Sequence, residues 1–116
     1  MKIKSMCLER LNEKEIVDLQ TIRMPAKISY ILKNAMAELG KASKPFFEQK
    51  RVIVDKYREN GKIPPEHVKS LLQELKVLHD EEIEMPMEKL DISIEHLPDL
   101  SILQIDFIEL FFNIKG

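Results

Sequence analysis

Apolar residues recur at alternating steps of four and three through Ile28, Leu32, Ala35, Leu39, Ala42 and Phe46. That is the period of a helix with one buried stripe. After a missed beat at Gln49 the stripe resumes at Ile53 and Tyr57. The pattern therefore predicts one long helix over 25–59, roughly 50 Å at about 1.5 Å per residue, crossing the whole molecule. Pro25 suits its first turn, where the missing N–H has no helical partner to lose. Gly40, Ser43 and Pro45 fall near its centre, and an internal proline removes one helical hydrogen bond at a cost of about 3 kcal/mol. A kink, or two helices sharing an axis, is expected there. Asn60 and Gly61 supply a left-handed stop, and Pro64 with Pro65 prevents continuation. A second helix over 65–80 carries Val68, Leu71, Leu72, Leu75 and Leu78 as a tight stripe. The short connection makes the two helices antiparallel neighbours.

Either side of this hairpin the period is less regular. Asn12 followed by Glu15 has the spacing of a helix cap and its reciprocal partner, and Ile16, Leu19 and Ile22 extend it to a short helix over 13–22. Residues 2–10, with Ile3, Met6 and Leu8 apolar, fit a strand or an early helical turn. From Asp80 alternation replaces helical spacing. Ile83, Met85 and Met87 alternate with Glu82, Glu84 and Pro86, then Leu90, Ile92 and Ile94 with Asp91, Ser93 and Glu95. The change of parity predicts two extended segments within 82–95, joined by a bend. Pro86 confines the first to an edge. Because a lone strand pair is marginal, they must lean on helices, on the N-terminal residues or on another subunit. A last helix is expected over 99–113, with Leu103, Phe107, Leu110, Phe111 and Ile114 on one face and Ile102, Ile105, Ile108 and Phe112 over much of the rest. A helix apolar nearly all round is covered on more than one side.

Composition adds little to this outline but removes several classes. The 116 residues suit one domain with one modest core. Hydrophobic content of 44% and charged content of 33% are those of a globular protein rather than a disordered one. No apolar run reaches the roughly 20 residues that cross a bilayer, and no cleavage pattern of a secretory signal follows Lys2 and Lys4, so an intracellular protein is expected. The lone Cys7 forms no internal disulfide and reads as a small apolar filler. Net charge is −2, but residues 1–62 carry 14 Lys or Arg against 8 Asp or Glu, and residues 63–116 carry 4 against 12. Such asymmetry favours packing of one half on the other, head-to-tail association, or a partner at either end.

The succession Lys27-Ile28-Ser29-Tyr30, Lys33 and Asn34, then Leu39, Pro45, Phe46, Glu48, Arg51 and Tyr57, then Leu75, Leu78 and Glu81-Glu82-Ile83-Glu84-Met85, then Leu90, Leu100 and Ser101 before an apolar tail, resembles a family of small uncharacterised proteins from tailed bacteriophages and prophages of Gram-positive bacteria. The resemblance spans most of residues 20–112 and rests on diffuse helix patterns without a catalytic signature. It implies a phage context and an unassigned function; with neither a secretory signal nor a spanning segment read from the sequence, the host cytoplasm is the expected compartment. The short loop at Gly61 departs from the longer connections of such proteins.

Candidate chemistry is weighed against ordinary structural roles. His79 and Glu82 stand at the i, i+3 spacing of two metal ligands, but a solvated acidic helix end explains them better. Glu81, Glu82, Glu84, Glu88 and Asp91 would need burial in a cleft to act as acid and base. Alternation puts them on a wet face, where Glu82, Glu84 and Glu88 form an acidic ribbon able to imitate a phosphate backbone. Lys41, Lys44, Lys50 and Arg51, near Phe46 and Phe47, are a minimal footprint for phosphate contacts. Ile108 and Phe112, off the main stripe of the last helix, together with Met85 and Met87, are candidates for an exposed patch that binds a partner. Neither a nucleophile with its base, nor a glycine loop, nor a ligand set is visible, so no cofactor and no metal are expected.

These readings predict a mostly helical α+β domain: a long kinked helix in an antiparallel hairpin, a small β element and an apolar C-terminal helix. The expected function is non-enzymatic association with protein, as a homo-oligomer or with a phage or host protein. The alternatives are an inhibitor of a host defence or transcription complex acting through the acidic C-terminal half, and a nucleic-acid-binding accessory protein acting through the basic N-terminal half.

Overall fold

The computed structural model describes residues 1–116. Strand β1 (Lys2–Lys4) passes into a 3-10 helix (Ser5–Arg10) and a short helix α1 (Lys14–Asp18). Helix α2 (Ala26–Tyr57) and helix α3 (Pro65–Asp80) form the hairpin, and strand β2 (Glu82–Glu84) follows. Strand β3 (Leu90–Ser93), a 3-10 turn (Ile94–His96), helix α4 (Ile102–Ile108) and strand β4 (Phe112–Lys115) complete the chain. The mostly helical α+β class is as expected.

The hairpin follows its sequence pattern closely. Ile28, Leu32, Ala35, Leu39 and Phe46 are buried along α2, and Leu71 and Leu78 along α3. Pro65 opens α3 at its first turn, and the helix ends at Asp80. Asn60 (φ 52°) and Gly61 (φ 77°) adopt the left-handed conformation, and Glu59 and Lys62 close the turn with reciprocal backbone bonds of 2.8 and 3.0 Å. At Gly61 a side chain would strain the backbone. Helix α2 runs unbroken through Pro45, not as two coaxial helices. Pro45 lies on the exposed side, where water can take up the carbonyl left without an N–H partner.

The capping pair expected at Asn12 and Glu15 does not form: Glu13 occupies the cap of α1 without a side-chain bond, and α1 stops at Asp18 with only turns beyond it. The box forms at α4 instead. There Ser101 Oγ accepts from Gln104 N at 3.2 Å and Gln104 Oε1 accepts from Ser101 N at 3.0 Å. The same two residues tie α4 to α1, Gln104 Nε2 donating to the Glu15 carbonyl at 2.8 Å and Ser101 Oγ to the Glu15 carboxylate at 3.0 Å.

The extended segments are present but do not pair with each other. β2 pairs antiparallel with β1, with Ile3 opposite Ile83, and β3 pairs parallel with β4, with Leu90 opposite Phe112. The parallel pair is joined through α4, because a parallel connection needs a crossover. The helix expected over 99–113 is thereby corrected. It ends at Ile108, the chain turns through Glu109–Phe111, and Phe112 opens a strand. Aromatic and β-branched residues serve a half-buried strand as well as a helix, and here pairing with β3 decides.

Sixteen buried residues, from both ends of the chain, from α2 as far as Phe46, and at Leu78 and Met85, form one core. The far half of the hairpin projects from it. The molecule measures 51 × 25 × 23 Å, and its radius of gyration of 16.8 Å exceeds the value of about 13 Å for a compact chain of this length.

Candidate protein-binding surface

The root of the hairpin is clamped on one flank and open on the other. On the clamped flank, Lys50 Nζ donates to both oxygens of Glu9 at 2.7 and 2.8 Å, which holds the 3-10 helix against α2. His79 of α3 stacks on Phe46 with ring centroids 6.0 Å apart, and its Nε2, 3.9 Å from Glu9, is buried without a hydrogen-bond partner.

The open flank is a groove of about 580 Å³ between α2 and α3. Pro45, Val52, Ile53, Val77 and Leu78 give it an apolar surface, and Glu48, Glu74 and Glu81 edge it with no cation among the lining residues. Val52 and Val77 are 65% and 67% exposed. Glu74 accepts from Lys56 at the far end of the groove. That bond, with a smaller contribution from Tyr57, holds the Glu74 carboxyl below the ordinary carboxylate value and raises the Lys56 ammonium. Leu72, 60% exposed, and Val68, one turn before it on the same face of α3, lie outside the groove. Val52 and Val77 carry no distinct sequence signal because each sits beside apolar residues that face the seam, Ile53 and Leu78, and lies off its helix's main stripe. The available signal was a large apolar residue on the wet side of each of two helices already known to be adjacent.

The residues expected to form an exposed partner patch lie elsewhere. Ile108 and Phe112 are 0% and 1% exposed and Met85 is buried with them; Met87 is half-buried. The expected patch is therefore interior, because the turn after Ile108 carries Phe112 back into the core. Substituting Ile108 and Phe112 with Ser would unfold the chain rather than dissociate an assembly.

The acidic ribbon is exposed, but not uniform in sign. Glu82 and Glu84 stand directly opposite Lys4 and Lys2, so the outer face of the β1–β2 pair alternates charge. The four basic residues do not converge either. Lys50 is turned to Glu9, whereas Lys41, Lys44 and Arg51 are exposed on the opposite side of α2, Lys41 bonded to Glu38 at 3.0 Å. His79 and Glu82 are separated by the end of α3, and no three His, Cys, Asp or Glu side chains gather as a metal site would need. Cys7 is buried, and desolvation pushes its thiol up to about 11, which keeps it protonated and unreactive near neutral pH.

A cavity of about 640 Å³ against β1 mixes Lys2, Lys4, Arg10 and Lys89 with Glu88 and Glu109 and presents no single charge to a ligand. No helix is long and apolar enough to cross a membrane. No protein-family model, no curated protein and no solved structure matches the chain.

Proposed function

We propose that this is a non-enzymatic protein that acts by association with protein, through the projecting α2–α3 hairpin. The resemblance noted above adds a phage origin and action in the host cytoplasm to the proposal. The observation that carries it is the exposure of Val52 and Val77 by 65% and 67% across one groove, on an arm that stands away from a closed core. Large apolar side chains gathered on a projecting element are characteristic of recognition surfaces. Of the rival readings, the imitation of nucleic acid by the acidic half is weakened by Lys2 and Lys4 beside its glutamates. Of the four basic residues read as phosphate contacts, Lys50 is turned away to Glu9 and Lys41, Lys44 and Arg51 stay exposed.

A photo-crosslinking amino acid placed at Val52 or Val77, in cells expressing the protein in its natural setting, tests the proposal. Discrete protein adducts at these positions, absent when the probe is moved to exposed Glu95, are the expected result. Equal labelling at all three positions would count against the hairpin as the contact surface.

A further inference from the structure

The exposed side of α2 changes chemistry at its midpoint. Tyr30, Lys33, Ala37, Lys41 and Lys44 follow one another at steps of three and four, so they share one face. All five are exposed, Tyr30 by 67%. No carboxylate stands among them. The half-buried Glu38 lies beside this face and bonds Lys41, and an exposed pair of that kind is worth little and is readily exchanged. Beyond Pro45 the same side continues with Glu48, Arg51, Val52 and Asp55, Asp55 paired with Arg58 at 3.2 Å. It opens into the groove edged by Glu48 with Glu74 and Glu81 of α3, which no cation lines. One side of a single helix is thus basic for its first half, and in its second borders a groove edged by carboxylates, with Val52 as an apolar knob.

From this we infer that the groove is occupied by a second copy of this chain, the two α2 helices lying antiparallel about a two-fold axis near Pro45. The inference rests on reading the hairpin as an association surface and names its partner. In the antiparallel arrangement the basic half of each helix covers the acidic groove of the other, Lys41 facing Glu48 and Ala37 facing Val52 of the second copy. A parallel, in-register arrangement would set like charge on like. Every contact of a two-fold interface is made twice, so two weak grooves close together and the pair is finite. Pro45 suits the axis: it is exposed, presents an apolar ring, and carries no N–H to bury. The small Ala37 gives Val52 room to approach the partner backbone. The asymmetry of charge along the whole sequence then has a structural use, as register for the pair.

Sedimentation equilibrium on the purified full chain, with far-UV circular dichroism to confirm folding, tests this without any other protein. The wild type is expected to be a dimer at tens of micromolar and to weaken as sodium chloride rises from about 50 to about 500 mM. Lys41→Glu alone and Glu48→Lys alone should each raise the dimer dissociation constant by about tenfold or more, because each substitution creates two repulsive contacts. The double variant carrying both reversals should return to within about threefold of wild type, since the pair is swapped rather than lost. Val52→Ser should weaken the dimer with little effect on its salt dependence. A wild type that remains monomeric at about 100 µM overturns the inference while leaving association with another protein to the crosslinking test. A dimer indifferent to both reversals, or a double variant no better than either single one, also overturns it. So does a monomer that binds a 20-base-pair DNA duplex through Lys41 and Lys44, which would assign the basic half to phosphate.

Discussion

In the body of this protein Phe107, Ile108, Phe111 and Phe112 are shut away within a core drawn from both ends of the chain, whereas in the arm, from Phe47 to Val77, only Leu71 is buried. The two regions are held differently. The body depends on contacts between residues far apart in sequence: Gln104 with Glu15, Ile3 with Ile83, Leu90 with Phe112. The arm depends on neighbours along two helices and one turn. A region with few buried apolar contacts and much solvated backbone opens at lower free energy than the core. It also has more surface left to offer a partner. The contrast teaches that the binding surface is to be sought where the fold is thin, not where the sequence is most apolar.

The sharpest way to break the comparison is to remove one large side chain from each region. Phe107→Ala should cost about 4 kcal/mol, since a fully enclosed aromatic leaves a cavity that its neighbours cannot fill. Leu71→Ala should cost about 2 kcal/mol, at the low end for leucine, because the two-helix seam can collapse. Urea midpoints on both variants at low protein concentration measure the difference. Equal costs would show the arm to be as well enclosed as the body.

A middle-sized effect concerns the joint between α1 and α4. Ser101→Ala removes a helix cap and should destabilise by about 1 kcal/mol. Gln104→Ala should cost about 2 kcal/mol, because it also strips the Glu15 carbonyl of its buried donor. Both should speed amide exchange in α1 and α4 and leave the arm unchanged, which hydrogen-exchange mass spectrometry resolves. Equal acceleration in the arm would merge the two regions into one cooperative unit.

The smallest expected effect lies at the Lys56–Glu74 bond. Glu74 is held below its ordinary value of 4.5, by Lys56 first and Tyr57 second. A carboxylate with a depressed value stabilises the fold above its unfolded value and loses that contribution as pH falls through the folded one. The arm should therefore loosen in acid below about pH 4.5, by little, since the pair is exposed. Carbon-13 titration should place the Glu74 midpoint below the ordinary value of 4.5. Lys56→Ala should move it back up; an unchanged midpoint would remove Lys56 as the cause.

Much of the fold was legible in the pattern of residues, and the candidate surface much less so. The stripe from Ile28 to Tyr57, the prolines at 25, 64 and 65, and Asn60-Gly61 act on their own backbone and near neighbours, so the hairpin could be read one element at a time. The capping box was sought at Asn12 and formed at Ser101, where Gln104 also had a distant carbonyl to bind. Val52 and Val77 had no signal as individuals. Their meaning comes from lying across one groove.

What the sequence determined by itself is the arm: two amphipathic helices, their ends and their antiparallel turn, all set by periodicity, proline and the left-handed pair, whose effects reach only a few residues. What only the tertiary structure decided is the body. The segment from Ile102 to Ile114 is apolar around most of its circumference and suits a helix or a half-buried strand, so its local preference is nearly balanced. Hydrogen bonds between β3 and β4, together with the buried volume available to Phe107, Phe111 and Phe112, tip that balance, ending the helix at Ile108 and drawing into the core the residues whose spacing alone would have left them outside.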